Sequence, residues 1–517
     1  MPAETYQTLF ERYGEPYRWL LTIGSITAAF TMVFTGTIVN VAVPDVMGAY
    51  GVGQDKAQLL STAYIATMTA SQLLNTWFVN TFGQRYAYIV VLIIFTVGGL
   101  ICGFSPALDM IIFGRVVQGF ASGIIQPLVM VTLLEVFPRE RRGTAMGIYG
   151  MGLVFALGLG PVIGGITVDT LGWRAIFFVP LPLVAIAFVM GIALIPSDRD
   201  AGARTPFDWV SYLLLCLTLY CLISAISNGQ REGWVSNEIV LRFVIGIAAA
   251  TAFALMQLRE GLRLLDFTLF RDPHFASAVV VAFVFGLGNF AMTYAIPVFG
   301  QLVQGYTATV AGFLLLPASL VLMGIFPLMG RVADLVSPRL PVMGGLIVFA
   351  IGVYVMADAD VNTAFWTFAF FGIIARVGMG FINPALMATA LGALPPDRLN
   401  QGSGTINFFR QLGGAMGINL LVVVLELRTQ FHSDNLAATQ TAANAATREL
   451  LQQVESVLQA EGIPQAMQKT LALDHLGKMI EAQANTFGFQ DGFLLIVGVF
   501  ILALLPAWVL GRSPRSD

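Results

Sequence analysis

Long apolar stretches separated by short polar loops occupy almost the whole chain. A helix needs about 20 mostly apolar residues to cross a bilayer, and about fourteen stretches meet that requirement. We predict membrane-spanning helices near 18–44, 57–79, 87–105, 109–134, 143–167, 174–195, 209–227, 238–258, 274–299, 308–330, 341–357, 364–392, 403–427 and 488–510. The pattern therefore predicts an all-α, polytopic membrane protein embedded in a lipid bilayer.

Landmarks of the first half recur in the second half in the same order. Arg115 with Gly119 and Phe120 returns as Arg376 with Gly380 and Phe381, Pro138 returns as Pro395, and Asn80 with Arg85 returns as Asp334 with Arg339. This order predicts two homologous six-helix bundles, 1–195 and 274–517, and a linker 196–273 that carries a two-helix hairpin. Transporters with such repeats rock one half against the other around a central site.

The chain carries too few charges to cover a soluble surface. Hydrophobic residues make up 57% of the 517 residues and charged residues 11%, whereas soluble proteins carry roughly 25% charged residues. The net charge of −3 gives no sign of nucleic-acid binding. The sequence shows no phosphate loop, nucleophile motif or metal-ligand cluster, so we expect no enzyme activity, no cofactor and no bound metal.

Basic residues are concentrated on one side of the predicted membrane. That side receives Arg12, Arg18, Arg85, Arg139, Arg141, Arg142, Arg199, Arg204, Arg259, Arg263, Arg271, Arg331, Arg339, Arg398, Arg512 and Arg515. The loops of the other side hold little more than Lys56, Arg174 and Arg231. The positive-inside rule then predicts that both termini are cytoplasmic.

Two predicted spans carry a distinctive set of small and polar residues. The fourth span contains Arg115, Gln118, Gly119 and Gly123, and the fifth contains Gly147, Ala156 and the run Gly-Pro-Val-Ile-Gly-Gly at 160–165. With the loops around Asn80 and Asp334, these segments resemble the major facilitator superfamily, and within it the fourteen-helix drug:H⁺ antiporter branch (EmrB/QacA type). The resemblance covers nearly the whole chain. It implies a bacterial inner-membrane exporter of lipophilic small molecules that is driven by proton entry.

Arg115 is the first candidate for coupling transport to protons. An arginine in the middle of a membrane costs several kcal/mol unless it faces a polar cavity or a partner. The resemblance implies a role in proton coupling, in which Asp109 and Glu135 are the candidate acids of the same span. The alternatives are an Arg115 bonded to backbone carbonyls for structure, and acids that are solvated helix ends.

One position departs from the drug-exporting relatives. They usually carry an Asp where this chain has Gly36, and that carboxylate is their expected proton carrier. The other acids near spans, Asp45, Asp109, Asp169, Glu135 and Glu426, all lie close to span ends. Proton coupling is therefore less well supported than transport itself.

The resemblance also implies a hinge and two gating loops. The hinge residues are Gly160, Pro161, Gly164 and Gly165, whose simpler interpretation is close helix packing. The gating residues are Asn80, Gly83 and Arg85 in the first half, and Gly330, Arg331, Asp334 and Arg339 in the second. Asp334 beside a helix N-terminus or an arginine would hold the cytoplasmic side shut in one state.

Polar and aromatic residues inside spans outline a candidate substrate cavity. They are Asn40, Tyr64, Gln72, Gln126, Asn289, Tyr294, Asn383, Asn407, Phe408 and Arg410. Polar groups in spans should face the interior, although each could simply bond a neighbouring helix. Such a cavity suits lipophilic, neutral or anionic compounds.

The loop near 429–487 is long in a chain whose other loops are short, and 449–458 has helical spacing. It is either a solvated helical hairpin without a task or a docking surface. By resemblance, its partners are a periplasmic adaptor and an outer-membrane channel.

Two functions compete with drug export: transport of a specific amphiphilic metabolite or lipid with altered or no proton coupling, and a non-transporting membrane sensor or scaffold.

Overall fold

A computed structural model describes residues 5–52, 54–197, 207–258, 264–306, 308–392, 394–441 and 443–510. The helices of these residues are α1 (Tyr6–Tyr13), α2 (Pro16–Ile38), α3 (Val43–Tyr50), α4 (Gln54–Ser71), α5 (Asn75–Phe82), α6 (Gln84–Gly103), α7 (Leu108–Val136), α8 (Arg142–Leu171), α9 (Leu181–Leu194), α10 (Trp209–Glu232), α11 (Asn237–Leu258), α12 (Pro273–Leu302), α13 (Ala308–Phe313), α14 (Leu315–Leu335), α15 (Arg339–Met356), α16 (Phe365–Gly392), α17 (Leu399–Thr439), α18 (Ala445–Ala460), α19 (Gln465–Leu502) and α20 (Leu504–Val509). The prediction of an all-α polytopic protein is confirmed, since no strand occurs in these ranges.

Thirteen described helical segments are long and apolar enough to span a membrane. They correspond to thirteen of the fourteen predicted spans. The second predicted span, 57–79, is instead divided into α4 and α5 by a 3-10 turn over Gln72–Leu74. Polar residues at the start of α4 and at this turn lower its hydropathy, yet α4 packs along α7 inside the bundle. The second predicted span is therefore a broken helix, and apolar length alone does not predict the break.

Glycines bring matched helix pairs of the two halves into backbone contact. In the first half, a Cβ on Gly98 of α6 would lie 2.9 Å from the Gly114 carbonyl oxygen of α7. In the second half, a Cβ on Gly345 of α15 would lie 2.6 Å from the Gly378 carbonyl oxygen of α16. The same close packing at equivalent places is what a repeated bundle requires.

The two halves meet where α8 packs on α14 and α7 on α17. We call this boundary the seam. The loops that join α7 to α8, α14 to α15 and α16 to α17 lie at one end of it, which we call the basic end because of its arginines. The opposite, far end carries a hairpin made of the last part of α17, α18 and the first part of α19. At the base of this far hairpin, Asp491 Oδ2 accepts from Arg428 Nε at 2.6 Å and contacts His432 Nε2 at 2.7 Å.

The linker hairpin is attached to both halves. Its helix α10 contacts α4 and α17, and α11 packs on α10. Leu215 and Leu219 of α10 share one apolar cluster with Ala70, Leu73 and Phe408. The division into 1–195, 196–273 and 274–517 stays a prediction. Six of the arginines assigned to the cytoplasmic side lie outside the described residues: Arg199, Arg204, Arg259, Arg263, Arg512 and Arg515.

Candidate functional site

Arg115 is completely buried in the first half. Its Nε donates to the Leu60 carbonyl at 2.9 Å, and its Nη1 donates to the Thr35 carbonyl at 3.2 Å and to Gln118 Oε1 at 3.1 Å. The guanidinium also lies 4.2 Å from the centre of the Tyr64 ring. Arg115 is thus held by neutral acceptors and a π face, which is the structural role that the sequence left open.

Glycines of α7 make this arrangement possible. A Cβ on Gly119 would lie 2.4 Å from the Tyr64 carbonyl oxygen, and one on Gly123 would lie 2.2 Å from the Met68 carbonyl oxygen. Because α4 crosses α7 at this distance, its carbonyl groups and the Tyr64 ring reach the arginine.

Tyr64 fills the space beside Gly36. The Tyr64 hydroxyl lies 2.6 Å from the Met32 carbonyl, to which it donates, and 2.6 Å from Ser122 Oγ. A Cβ on Gly36 would lie 3.1 Å from Tyr64 Cε1. The ring therefore lies between Gly36 and Arg115, and no described acid forms an ion pair with Arg115.

The structure does not bring the other two coupling candidates to Arg115. Asp109 is exposed at the start of α7. Glu135 is exposed 20 residues after Arg115, which is about 30 Å along a helix. It accepts from the Tyr6 hydroxyl at 2.7 Å and from Gln84 Nε2 at 3.1 Å. Burial, together with the neighbouring Glu135 charge, raises the pKa of Tyr6 well above its usual range.

Arg376 is the counterpart of Arg115 in the second half. In the sequence it is a landmark of the repeat, and it was not predicted as a coupling or cavity residue. Its Nη1 donates to Asn289 Oδ1 and its Nη2 to Thr293 Oγ1, the latter at 2.6 Å. The side chain keeps 7% of its surface exposed. The repeat itself was the signal that could have identified it.

Buried amides with open hydrogen-bonding capacity lie along the helices of the seam. Gln72, Gln126 and Asn383 are buried, and the Gln72 amide atoms, Gln126 Oε1 and Asn383 Oδ1 have no protein partner in the described chain. Buried polar atoms are normally paired. These three predicted cavity residues therefore have the capacity to bind a polar solute.

Helices α7, α8 and α17 meet around Asn407 and Arg410 at the seam. Arg410 Nη2 donates to Asn407 Oδ1 at 2.7 Å, and Asn407 Nδ2 lies 3.8 Å from Met130 Sδ of the first half. Arg410 is half-buried and close enough to Tyr149 of α8 for the two groups to interact electrostatically. Tyr149 in turn donates to the Gln126 carbonyl at 3.4 Å. The seam thus joins predicted cavity residues of both halves.

Three other predicted cavity residues are placed differently. Phe408 packs in the cluster with α10, on another face of α17 from Asn407. Tyr294 is half-buried and interacts electrostatically with Glu426. The side chain of Asn40 lies outside the described part of the structure, as does that of Pro161.

Asp334 joins the two halves at the basic end. Its Oδ1 accepts from the Gly143 N–H at 2.6 Å, and its Oδ2 accepts from the Thr144 N–H at 2.9 Å and the Thr144 hydroxyl at 2.6 Å. The carboxylate therefore sits on the N-terminus of α8, where the helix dipole favours negative charge. A Cβ on Gly330 would lie 2.5 Å from the Gly143 carbonyl oxygen, so the backbones also touch here.

The first-half loop makes a weaker version of this contact. Asn80 is exposed, and Asn75 instead donates to Asn400 Oδ1 across the seam at 3.2 Å. Gly83 ends α5 at a φ of +75°, and Arg85 donates to the Ile195 carbonyl.

The two gating arginines of the second half do not cross the seam. Arg331 is exposed, and Arg339 lies 3.1 Å from the centre of the Trp508 ring. Among the gating residues, the contact across the seam at the basic end is therefore made by Asp334 and not by a symmetric pair of charges.

The glycines of α8 divide between two partners. A Cβ on Gly147 would lie 2.4 Å from the Phe326 carbonyl oxygen of α14, across the seam. A Cβ on Gly160 would lie 2.0 Å from Thr37 Oγ1, within the first half. Gly164 is buried and Gly165 partly exposed. The predicted hinge segment thus packs on its own half, and the glycines nearer the basic end contact the other half.

Comparison with known proteins gives the same picture. Residues 25–418 match the family model of the Major Facilitator Superfamily. The uncharacterized MFS-type transporter YhcA of Bacillus subtilis (strain 168) is 28% identical over 96% of this chain and 93% of its own length. The multidrug export protein EmrB of Haemophilus influenzae is 26% identical over 95% of each protein.

The fold is shared with solved structures of low sequence identity. The proton:xylose symporter XylE superposes with a TM-score of 0.63 over 96% of each chain at 11% identity. Since the family model covers most of the chain and the observed helices follow its repeated architecture, the protein belongs to the Major Facilitator Superfamily.

Proposed function

We propose that this protein exports lipophilic small molecules across the bacterial inner membrane by alternating access, with both termini in the cytoplasm and with proton entry as the driving force. Its similarity to a multidrug export protein over nearly the full length supports the export of drug-like compounds. Its basic loops support the orientation.

The observation that carries the proposal is the contact of Asp334 with the N-terminus of α8. It links halves that are 190 residues apart in sequence through three hydrogen bonds at one end of the seam. A rocking transporter needs such contacts at one end, because they must break when that end opens. A scaffold that has lost transport has no need of them, which disfavours the sensor hypothesis.

The test is transport by purified protein in proteoliposomes with an imposed proton gradient. We expect a lipophilic fluorescent substrate to accumulate against its gradient and the transport to release protons. Arg115→Ala should abolish accumulation, because it removes the group that holds α2 and α4 on α7. Arg448→Ala, a charge removal on the exposed far hairpin, is the matched control. Absence of uptake for any compound would contradict transport.

A second function is favoured by Tyr64 beside Gly36. The ring lies beside the position of the missing carboxylate, so the simplest proton carrier is absent. The alternative is export of a specific amphiphilic metabolite or lipid with altered or no proton coupling. Uptake that is independent of the proton gradient would favour this alternative. It would also be favoured if the Arg115→Ala variant lost uptake equally with and without the gradient.

The far hairpin supports a proposal about partners. Its helices extend α17 to 41 residues and α19 to 38 residues, which is well beyond the roughly 20 residues that a bilayer needs. We propose that a periplasmic adaptor, and through it an outer-membrane channel, binds to this projection.

A further inference from the structure

The middle of the spans contains positive charges without matching negative ones. Arg115, Arg376 and Arg410 all lie well inside their helices. None of the three forms an ion pair with a carboxylate of the described residues; their recorded side-chain partners are uncharged. A charged group inside a membrane normally has a compensating partner. If the protein exports small molecules as proposed above, the missing partner can be the cargo.

The three arginines differ in access. Arg115 has no exposed surface and is sealed by carbonyl groups and Tyr64. Arg376 keeps 7% exposure, and Arg410 is half-buried. The first-half arginine is therefore fully enclosed, whereas the two second-half arginines each keep some exposed surface.

The Arg376 group has the composition of an anion subsite. Asn289 and Thr293, one turn apart on α12, fix the guanidinium by accepting from its two terminal nitrogens. Both are neutral, so they orient the charge without cancelling it. Asn383 lies two turns further along the same face of α16, about 10 Å away by helix rise, and its Oδ1 has no protein partner among the described residues.

Arg410 adds to the positive potential of the same region. A Cβ on Gly286 of α12 would lie 1.9 Å from the Arg410 carbonyl oxygen, so α17 packs directly on α12. Gly286 and Asn289 are neighbours on the α12 surface, three residues apart. The side chain of Arg410 is held by Asn407 and lies near Tyr149, and both of these partners are neutral as well.

The acids nearest this region do not pair with its arginines. Glu426 is exposed, and among the described residues it forms no ion pair with Arg376 or Arg410. Asp491 is bound by Arg428 and His432. The described walls around α12 thus have a net positive charge in a medium of low dielectric constant, where an opposite charge is strongly attracted.

We propose that this protein selects amphiphilic anions, with a carboxylate or sulfonate head group bound by Arg376 and an apolar body along the seam. Arg–carboxylate pairs in a dry site are stronger and more directional than pairs between neutral groups. Arg410 raises the local potential from the first-half side. Cations of the same shape are disfavoured because they meet two guanidinium groups that have no carboxylate partner among the described residues.

Three fluorescent amphiphiles with one apolar body test this selectivity: 1-pyrenebutyrate, 1-pyrenebutyramide and 4-(1-pyrenyl)butyl-trimethylammonium. Binding to the purified full-length protein is measured by fluorescence titration. We expect the carboxylate to bind at least about tenfold more tightly than the ammonium compound, since one charge-assisted contact accounts for that ratio. Equal or tighter binding of the ammonium compound would overturn the proposal.

Variants identify the residue responsible. Arg376→Gln should reduce the preference for carboxylate over amide toward one, Arg376→Lys should keep most of it, and Arg410→Gln should lower it partly. Arg448→Gln removes a charge from the far hairpin and should leave all three affinities unchanged. A preference that survives in both glutamine variants would overturn the assignment, and the wild-type ratio remains decisive if a variant fails to fold.

The outcomes separate this inference from the proposed function. Transport of the neutral amide without any preference for the anion would leave export standing and refute the anion site. Failure to bind or transport any of the three probes would count against export itself and against this inference.

Discussion

At the scale of single residues, Asp334 joins the two halves at the basic end. Its two oxygens accept three hydrogen bonds from Gly143 and Thr144. Two of the donors are N–H groups of the first turn of α8, which have no partner inside the helix. A carboxylate therefore satisfies these donors and also interacts favourably with the helix dipole.

We expect Asp334→Asn to open the basic end more often. The amide has one acceptor oxygen and no charge, and hydrogen bonds to charged groups contribute about 1.5–3 kcal/mol, so the ratio of closed to open molecules should fall about tenfold or more. Spin labels at the exposed positions Glu140 and Leu335, in a background without the native cysteines, report the distance across this end.

Asp397→Asn is the matched control, because it removes an exposed carboxylate at the same end of the molecule. Its distance distribution should match that of the unsubstituted protein. An Asp334→Asn distribution equal to that of the control would show that this carboxylate does not hold the halves together.

At the scale of elements, α8 of the first half packs along α14 of the second half. Gly147 and Gly150 allow Phe326 of α14 to approach. A Cβ on Gly147 would lie 2.4 Å from the Phe326 carbonyl oxygen, and a Cβ on Gly150 would lie 2.8 Å from the Phe326 ring. Further along, a Cβ on Gly158 would be 4.0 Å from Ser319 Cβ. The helices are thus in tightest contact toward the basic end and looser toward the far end, as expected for a pathway open to the far side.

Gly147→Ala should prevent full closure of the basic end. The added methyl must displace backbone, and such overpacking costs about 1–3 kcal/mol. We expect a longer mean distance between the same two spin labels and slower export. Gly158→Ala on the same helix, where the methyl fits, should change neither quantity. Similar effects of the two substitutions would indicate a general loss of helix flexibility in place of a local clash.

At the scale of the whole molecule, the far hairpin is a projection with its own internal contacts. Asn444 caps α18 by accepting from the Ala446 N–H at 3.1 Å, and α18 packs on α19. Its base is fixed by Asp491, which binds Arg428 and His432. A projection that is rigid at its base suits contact with a partner outside the membrane.

Replacing residues 436–480 by a short Gly-Ser linker should lower export by cells more than transport by vesicles. The replacement keeps the contacts of Asp491, so the transport bundle should stay intact, and vesicles need no partner. Resistance of cells to a lipophilic compound and uptake by proteoliposomes are measured with the same variant. An equal loss in both assays would contradict the docking proposal.

The sequence by itself determined the helical class, thirteen of the fourteen predicted spans and the family, because apolar length and motif order are local or periodic properties of the chain. Through the internal repeat it also identified Arg115 as a candidate coupling residue and Asp334 as a candidate gating residue. It did not identify the break between α4 and α5, where Thr69, Ser71 and Gln72 are buried by neighbouring helices that hydropathy does not register.

Only the tertiary structure decided what the special residues contact. The pairing of Asp334 with the start of α8, the contact of Arg115 with Tyr64 and the hydrogen bonds of Arg376 to α12 each depend on helices that are far apart in sequence. The physical reason is that glycines set how closely those helices approach. The approach distance determines whether a buried charge meets a carbonyl group, an aromatic ring or the pathway itself.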